Sequence, residues 1–231
     1  MGRKLAVEAI GTFFLVFTIG MSVLEPSGGP LAPFAIASVL MVMVYAGGHV
    51  SGAHYNPAVT LAVFLRGACT IHEAIGYWVI QLVSAAVAAT VVLWIKGGGP
   101  LTVMTLDVSR TLAVEFAFTF ALAYVVLNVA TAKGVEGNSY YGLAIGFTVL
   151  AGAYAVGPIS GGAFNPAVSL ATLVFGVIAA GDIWIFLLPQ LVAGALAGLL
   201  FNLLDLGDDK ATTATPDEQA SLTPVGEPAA R

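Results

Sequence analysis

The chain has little charge and few groups able to support chemistry. Only 9% of its 231 residues are charged, whereas soluble domains carry about 25%. One cysteine, Cys69, excludes an intrachain disulfide, and the eight Lys and Arg residues form no basic cluster of the density that nucleic acid binding needs. The three histidines lack the spacing of a metal site. These absences exclude a water-soluble globule, and we expect neither a nucleic acid partner nor a metal.

Motifs that mark enzymes are also missing. The sequence contains no Gly-x-Ser-x-Gly, no His-Glu-x-x-His, no phosphate-binding loop and no paired pore carboxylates. We therefore predict that the protein is not an enzyme.

Apolar residues are abundant. They make up 58% of the chain, enough for six helices of about 20 apolar residues each. Candidate membrane spans cover residues 5–24, 33–50, 72–95, 110–130, 139–156 and 181–204. Two shorter apolar segments, 57–65 and 166–177, reach only about halfway across a bilayer at about 1.5 Å per residue. We predict an all-α membrane protein with six transmembrane helices and two re-entrant half-helices, which are tolerated only where backbone lines a wet cavity.

The two ends of the chain are interpreted from charge. Arg3 and Lys4 before an apolar run resemble a signal peptide, but Glu8 interrupts the run and no small-x-small cleavage pattern follows, so we interpret it as a retained first helix. The positive-inside rule favours cytoplasmic termini in a multi-pass protein of the cell (inner) membrane. Basic residues near span ends would then lie inside at Arg3, Lys4, Arg66, Lys133 and Lys210, and outside at Lys96 and Arg110.

The chain contains an internal repeat. Residues 49–62 match residues 158–171 around Asn-Pro-Ala, and Glu8 and Gln81 recur as Glu115 and Gln190. Because each half holds three spans, the repeats, about 5–95 and 110–204, must be oppositely oriented. An inverted repeat with a broken segment in each half indicates a permeation or binding site at the midplane. We predict a transmembrane channel domain over residues 1–206 and a disordered cytoplasmic tail over 207–231, which is polar and acidic.

By itself, the repeated Asn-Pro-Ala motif predicts the start of a helix. Asn is a favoured N-cap, and Pro suits the first helical position. Two copies at the mouths of two half-helices would meet at the bilayer centre with both positive helix ends facing a pore. The predicted pore motifs are Asn56, Pro57, Ala58, Asn165, Pro166 and Ala167. Their amides would donate to a passing solute, while carbonyls of the preceding loops would accept.

Two carboxyl groups stand at matching places in the repeats. Glu8 and Glu115 are expected to face the bundle interior and accept hydrogen bonds from the two loops, although Glu8 could instead reach toward Arg3 and Lys4. Two interpretations of His49 remain open: its side chain lines the pore, or it pairs with a loop carbonyl. His54 and His72 are expected to have local structural roles.

These residues resemble the major intrinsic protein family, the aquaporins and glycerol facilitators. The resemblance rests on the motif from His49 to Thr60, on the second Asn-Pro-Ala, and on the duplicated Glu and Gln, and it covers about residues 5–204. It implies a right-handed helical bundle and a homotetramer in the lipid bilayer with one pore per subunit. It also implies passive transport of small neutral solutes without a cofactor.

One position departs from that family. The family usually places Arg after the second Asn-Pro-Ala, where this chain has Val168. By the resemblance, the outer selectivity filter comprises Ile36, Ala153, Gly162 and Val168. It lacks a fixed charge, a donor fork and bulk, and we predict a wide, apolar constriction that admits glycerol, urea, ammonia, hydrogen peroxide or metalloid acids beside water. Alternatively, Phe34, Tyr154 or Phe164 refills the space and leaves a water-selective pore.

Other function classes compete with a solute channel. The missing Arg could allow ions to leak, although no ring of pore charges is present. A coupled transporter also uses inverted repeats, but the spans hold no titratable relay. A purely structural junction protein leaves the paired Asn-Pro-Ala loops without a purpose.

Overall fold

The computed structural model describes residues 1–26, 29–98 and 103–206. The predicted tail, 207–231, lies outside the described residues. All regular elements in the described ranges are helical, which confirms the all-α class. These described ranges contain eight α-helices: α1 Gly2–Val23, α2 Ala32–Ser51, α3 Pro57–Arg66, α4 Ile71–Lys96, α5 Val108–Thr131, α6 Tyr141–Ser160, α7 Pro166–Val174 and α8 Ile183–Leu203. Short 3-10 turns lie at Gly29–Leu31, Lys133–Val135 and Ala180–Asp182.

Six of these helices are long and apolar enough to cross a membrane, and they coincide with the predicted spans. The other two, α3 and α7, have 10 and 9 residues and are the half-helices. The sequence predicted an apolar segment through Val177, but α7 ends at Val174. Gly176 there adopts φ +76°, a left-handed conformation that interrupts the helix.

Within each half of the chain, the long helices pack against one another. In the first half α1 contacts α2 and α4, in the second α5 contacts α6 and α8, and α2 and α6 join the halves. Each half-helix packs against a long helix of the other half: α3 packs on α8, and α7 packs on α4. Each half therefore holds the other's half-helix.

Glycines permit the closest of these crossings. A Cβ placed on Gly194 would lie 2.3 Å from the Ala58 carbonyl oxygen, and one on Gly198 would lie 2.6 Å from that of Ala62. The backbones of α3 and α8 thus touch without an intervening side chain. This contact fixes the depth at which α3 begins.

Candidate functional site

The N-termini of α3 and α7 meet inside the bundle, each capped by an asparagine. Asn56 Oδ1 accepts from the Ala58 N–H at 2.8 Å, and Asn165 Oδ1 accepts from the Ala167 N–H at 2.9 Å. Pro57 and Pro166 occupy the first helical positions. The macrodipoles of both half-helices therefore place about half a positive charge each at the same depth.

The two amide groups also link the halves of the molecule. Asn56 Nδ2 donates to the Phe164 carbonyl at 2.9 Å, and Asn165 Nδ2 donates to the Tyr55 carbonyl at 2.9 Å. An amide nitrogen carries two hydrogens. Each side chain therefore keeps one donor in addition to its contact with the opposite loop, and both asparagines line a common cavity.

Glu8 forms hydrogen bonds to the first loop, residues 52–56, between α2 and α3. It is fully buried, and its Oε1 accepts from Ser51 Oγ at 2.7 Å and from the His54 N–H at 2.9 Å. Its Oε2 accepts from the Tyr55 N–H at 2.7 Å and from Gln81 Nε2 at 2.9 Å. Lys4, the nearest basic candidate in the sequence, pairs instead with Glu73 at 2.5 Å.

Glu115 repeats the arrangement in the second half. Its Oε1 accepts from Ser160 Oγ at 2.7 Å and from the Ala163 N–H at 3.0 Å. Its Oε2 accepts from the Phe164 N–H and from Gln190 Nε2, both at 2.8 Å. In the sequence, Gln81 and Gln190 stand out only as repeated residues. Their equal offset from the Asn-Pro-Ala motifs was the signal that they belong to the same networks.

These networks bind three successive N–H groups in each loop. Besides the groups bound by the glutamates, the Ala53 N–H donates to Ser51 Oγ and the Gly162 N–H to Ser160 Oγ. Positive φ angles at Ala53, Tyr55 and Phe164, near +50°, turn the loops so that successive N–H groups face the carboxylates. The loop carbonyls other than those of Tyr55 and Phe164, which accept from the asparagines, are thus the backbone groups that we expect to meet a solute.

A narrow cavity of about 40 Å³ runs past the two asparagines. At that size it holds only a few waters at a time. Of the predicted filter residues, Ile36, Gly162 and Val168 line it. Ala153 is not among the lining residues, although its Cα lies 3.5 Å from where a Cβ on Gly162 would be. The rest of the wall is mainly aliphatic, including Leu15, Ile19, Leu40, Leu122, Val126, Ile145 and Val149.

The three aromatic residues that could have refilled this space lie outside the lining of the narrow cavity. Phe34 and Tyr154 are exposed and meet edge to face, with ring centroids 5.7 Å apart. Phe164 is buried against Phe118, with ring centroids 5.3 Å apart. None of the three is among the residues that line the narrow cavity.

A wider vestibule of about 790 Å³ opens at the end of the bundle that carries the N-terminus. His49 is exposed on its wall. His54 lines both the vestibule and the narrow cavity, so its ring stands where one passes into the other. The sequence had suggested only a local role for His54, because nothing in a motif reveals which way a loop with positive φ angles turns a side chain.

The ring of His54 is fixed by its neighbours. Its Nδ1 lies 3.1 Å from Thr60 Oγ1, and that hydroxyl donates to the Asn56 carbonyl at 3.0 Å. Because its hydrogen is used in that bond, Thr60 Oγ1 can accept a hydrogen bond from the Nδ1–H of a neutral ring, which leaves Nε2 as an acceptor. Tyr77 packs edge to face on the ring, with centroids 5.0 Å apart.

Six membrane-crossing helices in an inverted repeat, with two half-helices that meet beside a narrow passage, define a polytopic membrane channel. The comparison with known proteins identifies its family. The chain belongs to the major intrinsic protein family, whose model matches residues 1–201. Members are passive channels, so the protein is not an enzyme, and Asn-Pro-Ala motifs and tetramers are typical of the family.

Similar proteins include plant aquaporins. The chain is 35% identical over 218 residues to "Aquaporin NIP1-4" from Oryza sativa subsp. japonica, covering 90% of this chain and 79% of that protein. It is 35% identical over 234 residues to "Probable aquaporin TIP2-2" from the same plant, covering 93% and 92%. The solved structure of the aquaglyceroporin from Plasmodium falciparum has the same fold, with TM-score 0.73, 20% identity, and coverage of 88% of this chain and 98% of that one.

Proposed function

We propose that the protein is a passive channel for water and small neutral solutes, with an outer filter that is more apolar and wider than a filter that carries the arginine usual in the family. The observation that carries this proposal is Val168, which lines the narrow cavity with Ile36 and Gly162. None of these side chains carries a hydrogen-bond donor or a charge. Glycerol, urea, ammonia, hydrogen peroxide and metalloid acids are the solutes that such a filter would admit.

The centre of the passage supplies the polar contacts for these solutes. Asn56 and Asn165 each keep a donor hydrogen, and the loop carbonyls accept. A neutral molecule that both donates and accepts can therefore exchange its hydration for contacts with the wall. Cations meet the positive ends of α3 and α7 and an otherwise aliphatic wall, which opposes their passage.

The proposal extends to assembly and orientation. We expect a homotetramer with one pore per subunit in the cell membrane, with both termini on the cytoplasmic side. Basic side chains support that orientation. The vestibule is lined by Lys4, Arg66 and Lys133. Two other basic residues lie at the helix ends away from the vestibule, Lys96 at the end of α4 and Arg110 at the start of α5.

Replacing Val168 with Arg tests the filter. Proteoliposomes with the purified protein are shocked with an impermeant osmolyte, glycerol or urea, and volume is followed by stopped-flow light scattering. The wild type should lose water fast and reswell quickly in glycerol or urea. The Val168→Arg variant should keep water flux but slow reswelling by about tenfold or more, because a guanidinium fills and charges the constriction.

A matched variant separates charge from bulk. Val168→Leu adds apolar volume without donors, and we expect it to slow urea less than Val168→Arg does. Wild-type water flux without reswelling would contradict the wide filter. Equal solute uptake by the wild type and Val168→Arg would contradict the placement of Val168 in the filter.

A further inference from the structure

The residues that line the narrow cavity are paired by the internal repeat. When the two Asn-Pro-Ala motifs are aligned, and likewise the two buried glutamates, every lining residue except Tyr55 matches a lining residue of the other half. Ile36 corresponds to Ile145, and Val168 corresponds to Val59. The same kind of aliphatic residue therefore lines the passage on both sides of its centre.

One pair differs in its chemistry. His54 in the first half of the chain corresponds to Ala163 in the second. His54 and Ile145 also line the vestibule, so they belong to the inner half of the passage, and because the repeats are inverted their counterparts Ala163 and Ile36 belong to the outer half. Among the described lining residues, the outer half therefore has no polar side chain beyond the asparagines at the centre.

Polar backbone groups reach the outer half from the second loop. The N–H groups of residues 162–164 are already bound, to Ser160 Oγ and to the Glu115 carboxylate. The loop therefore offers carbonyl oxygens, which accept hydrogen bonds, while Ile36 of α2 and Val168 of α7 add aliphatic side chains to the wall. A polar group of a solute that faces these two side chains loses its water without gaining a partner.

We propose that the outer half of the passage selects small solutes with one polar edge and one apolar edge over solutes of the same size that are polar on every edge. Acetamide and urea are such a pair, since they differ by a methyl group in place of an amino group. The methyl group of acetamide can face Ile36 and Val168 without losing a hydrogen bond, whereas urea must turn an amino group toward them. The inference rests on the proposed function, because it ranks solutes that a wide filter admits.

Entry of the two solutes into proteoliposomes tests this preference. Reswelling is followed by stopped-flow light scattering over a series of protein contents, and the slope of the rate against protein content removes permeation through bare lipid. We expect the slope for acetamide to exceed that for urea by about tenfold, because urea carries one more amino group that finds no partner. Equal slopes, or a larger slope for urea, would overturn the inference.

Two matched substitutions locate the selection. Val168→Thr replaces a methyl group with a hydroxyl group of nearly the same size, whose oxygen can accept from the second amino group of urea, so the acetamide-to-urea ratio should fall by about threefold or more. Val59→Thr makes the same change in the inner half, where His54 already supplies an acceptor, and should leave the ratio within about twofold of the wild type. Equal falls in the two variants would overturn the assignment to the outer half.

Water permeability of the same vesicles shows whether each variant still forms a pore. If either variant does not, the wild-type slopes for acetamide and urea still decide the inference. Water flux with no entry of either solute would contradict the wide filter, and the inference with it. Entry of both solutes, with urea at least as fast as acetamide, would leave the proposed function in place and overturn the inference alone.

Discussion

At the scale of single residues, the two buried glutamates determine the shape of the loops. Each binds two backbone N–H groups, one serine hydroxyl and one glutamine amide, so that no carboxylate lone pair faces a void. A charged group at this depth is tolerated because four donors surround it. Each oxygen accepts from one loop N–H and one side chain, so replacing it affects both partners together.

Glu115→Gln should therefore destabilise the protein and reduce water flux. The amide directs a donor toward the N–H and amide groups that now bind Oε1 and Oε2, and at least one buried donor loses its partner at a cost of about 1–3 kcal/mol. Thermal unfolding followed by tryptophan fluorescence measures the loss. Glu136→Gln, at the end of a short surface turn, is the control. An unchanged melting temperature in Glu115→Gln would contradict the role assigned to this carboxylate.

Cys69, in the turn between α3 and α4, should react slowly with alkylating reagents. Burial raises the pKa of its thiol to about 11, from an ordinary value of 9.0. Because only the thiolate reacts, the rate of alkylation by iodoacetamide at pH 8 should be about a hundredfold below that of the unfolded chain, and it should rise with pH until about pH 11. A plateau of the rate near pH 9 would contradict the raised pKa.

At the scale of elements, the crossing of α3 and α8 sets the position of Asn56. Gly194→Ala places a Cβ against the Ala58 carbonyl, a backbone atom that cannot move alone, so α3 must shift. We expect a loss of stability of about 1–3 kcal/mol and reduced water flux. Thermal unfolding and stopped-flow scattering measure the two effects.

The chain offers a matched control for this substitution. Gly157 lies inside α6, and a Cβ there would meet no atom within 4 Å. Gly157→Ala should leave flux unchanged and slightly raise stability, because Ala favours helix. Equal behaviour of the two variants would mean that the α3–α8 contact does not hold the half-helix in place.

The elements were largely predictable because hydrophobic length identifies membrane spans directly. The six spans, the two half-helices and the family were predicted, and the structure and the comparisons confirm them. The ends of elements were less predictable, since they depend on backbone conformation, as Gly176 shows by ending α7 early. His54 was assigned no pore role, because its direction depends on the φ angles of Ala53 and Tyr55 and on a contact with Thr60.

At the scale of the whole molecule, the passage should exclude ions despite the missing arginine. The described wall offers no ring of like charges, and both half-helices direct positive ends to its centre. We expect planar bilayers with the wild-type protein to show no potassium or sodium conductance above that of empty bilayers. Single-channel steps that Val168→Arg abolishes would instead establish an ion leak through the filter.

The crossed hydrogen bonds between Asn56 and the Phe164 carbonyl, and between Asn165 and the Tyr55 carbonyl, also constrain the order in which the protein is made. They join positions more than one hundred residues apart, so the first loop leaves the ribosome long before its partner exists. The hydrogen bonds of each buried glutamate join residues of one half and can form while that half is synthesised. The asparagine–carbonyl bonds between the halves can form only after the second loop has been inserted. Because these contacts between the halves have a high sequence separation, we expect them to form late in biogenesis.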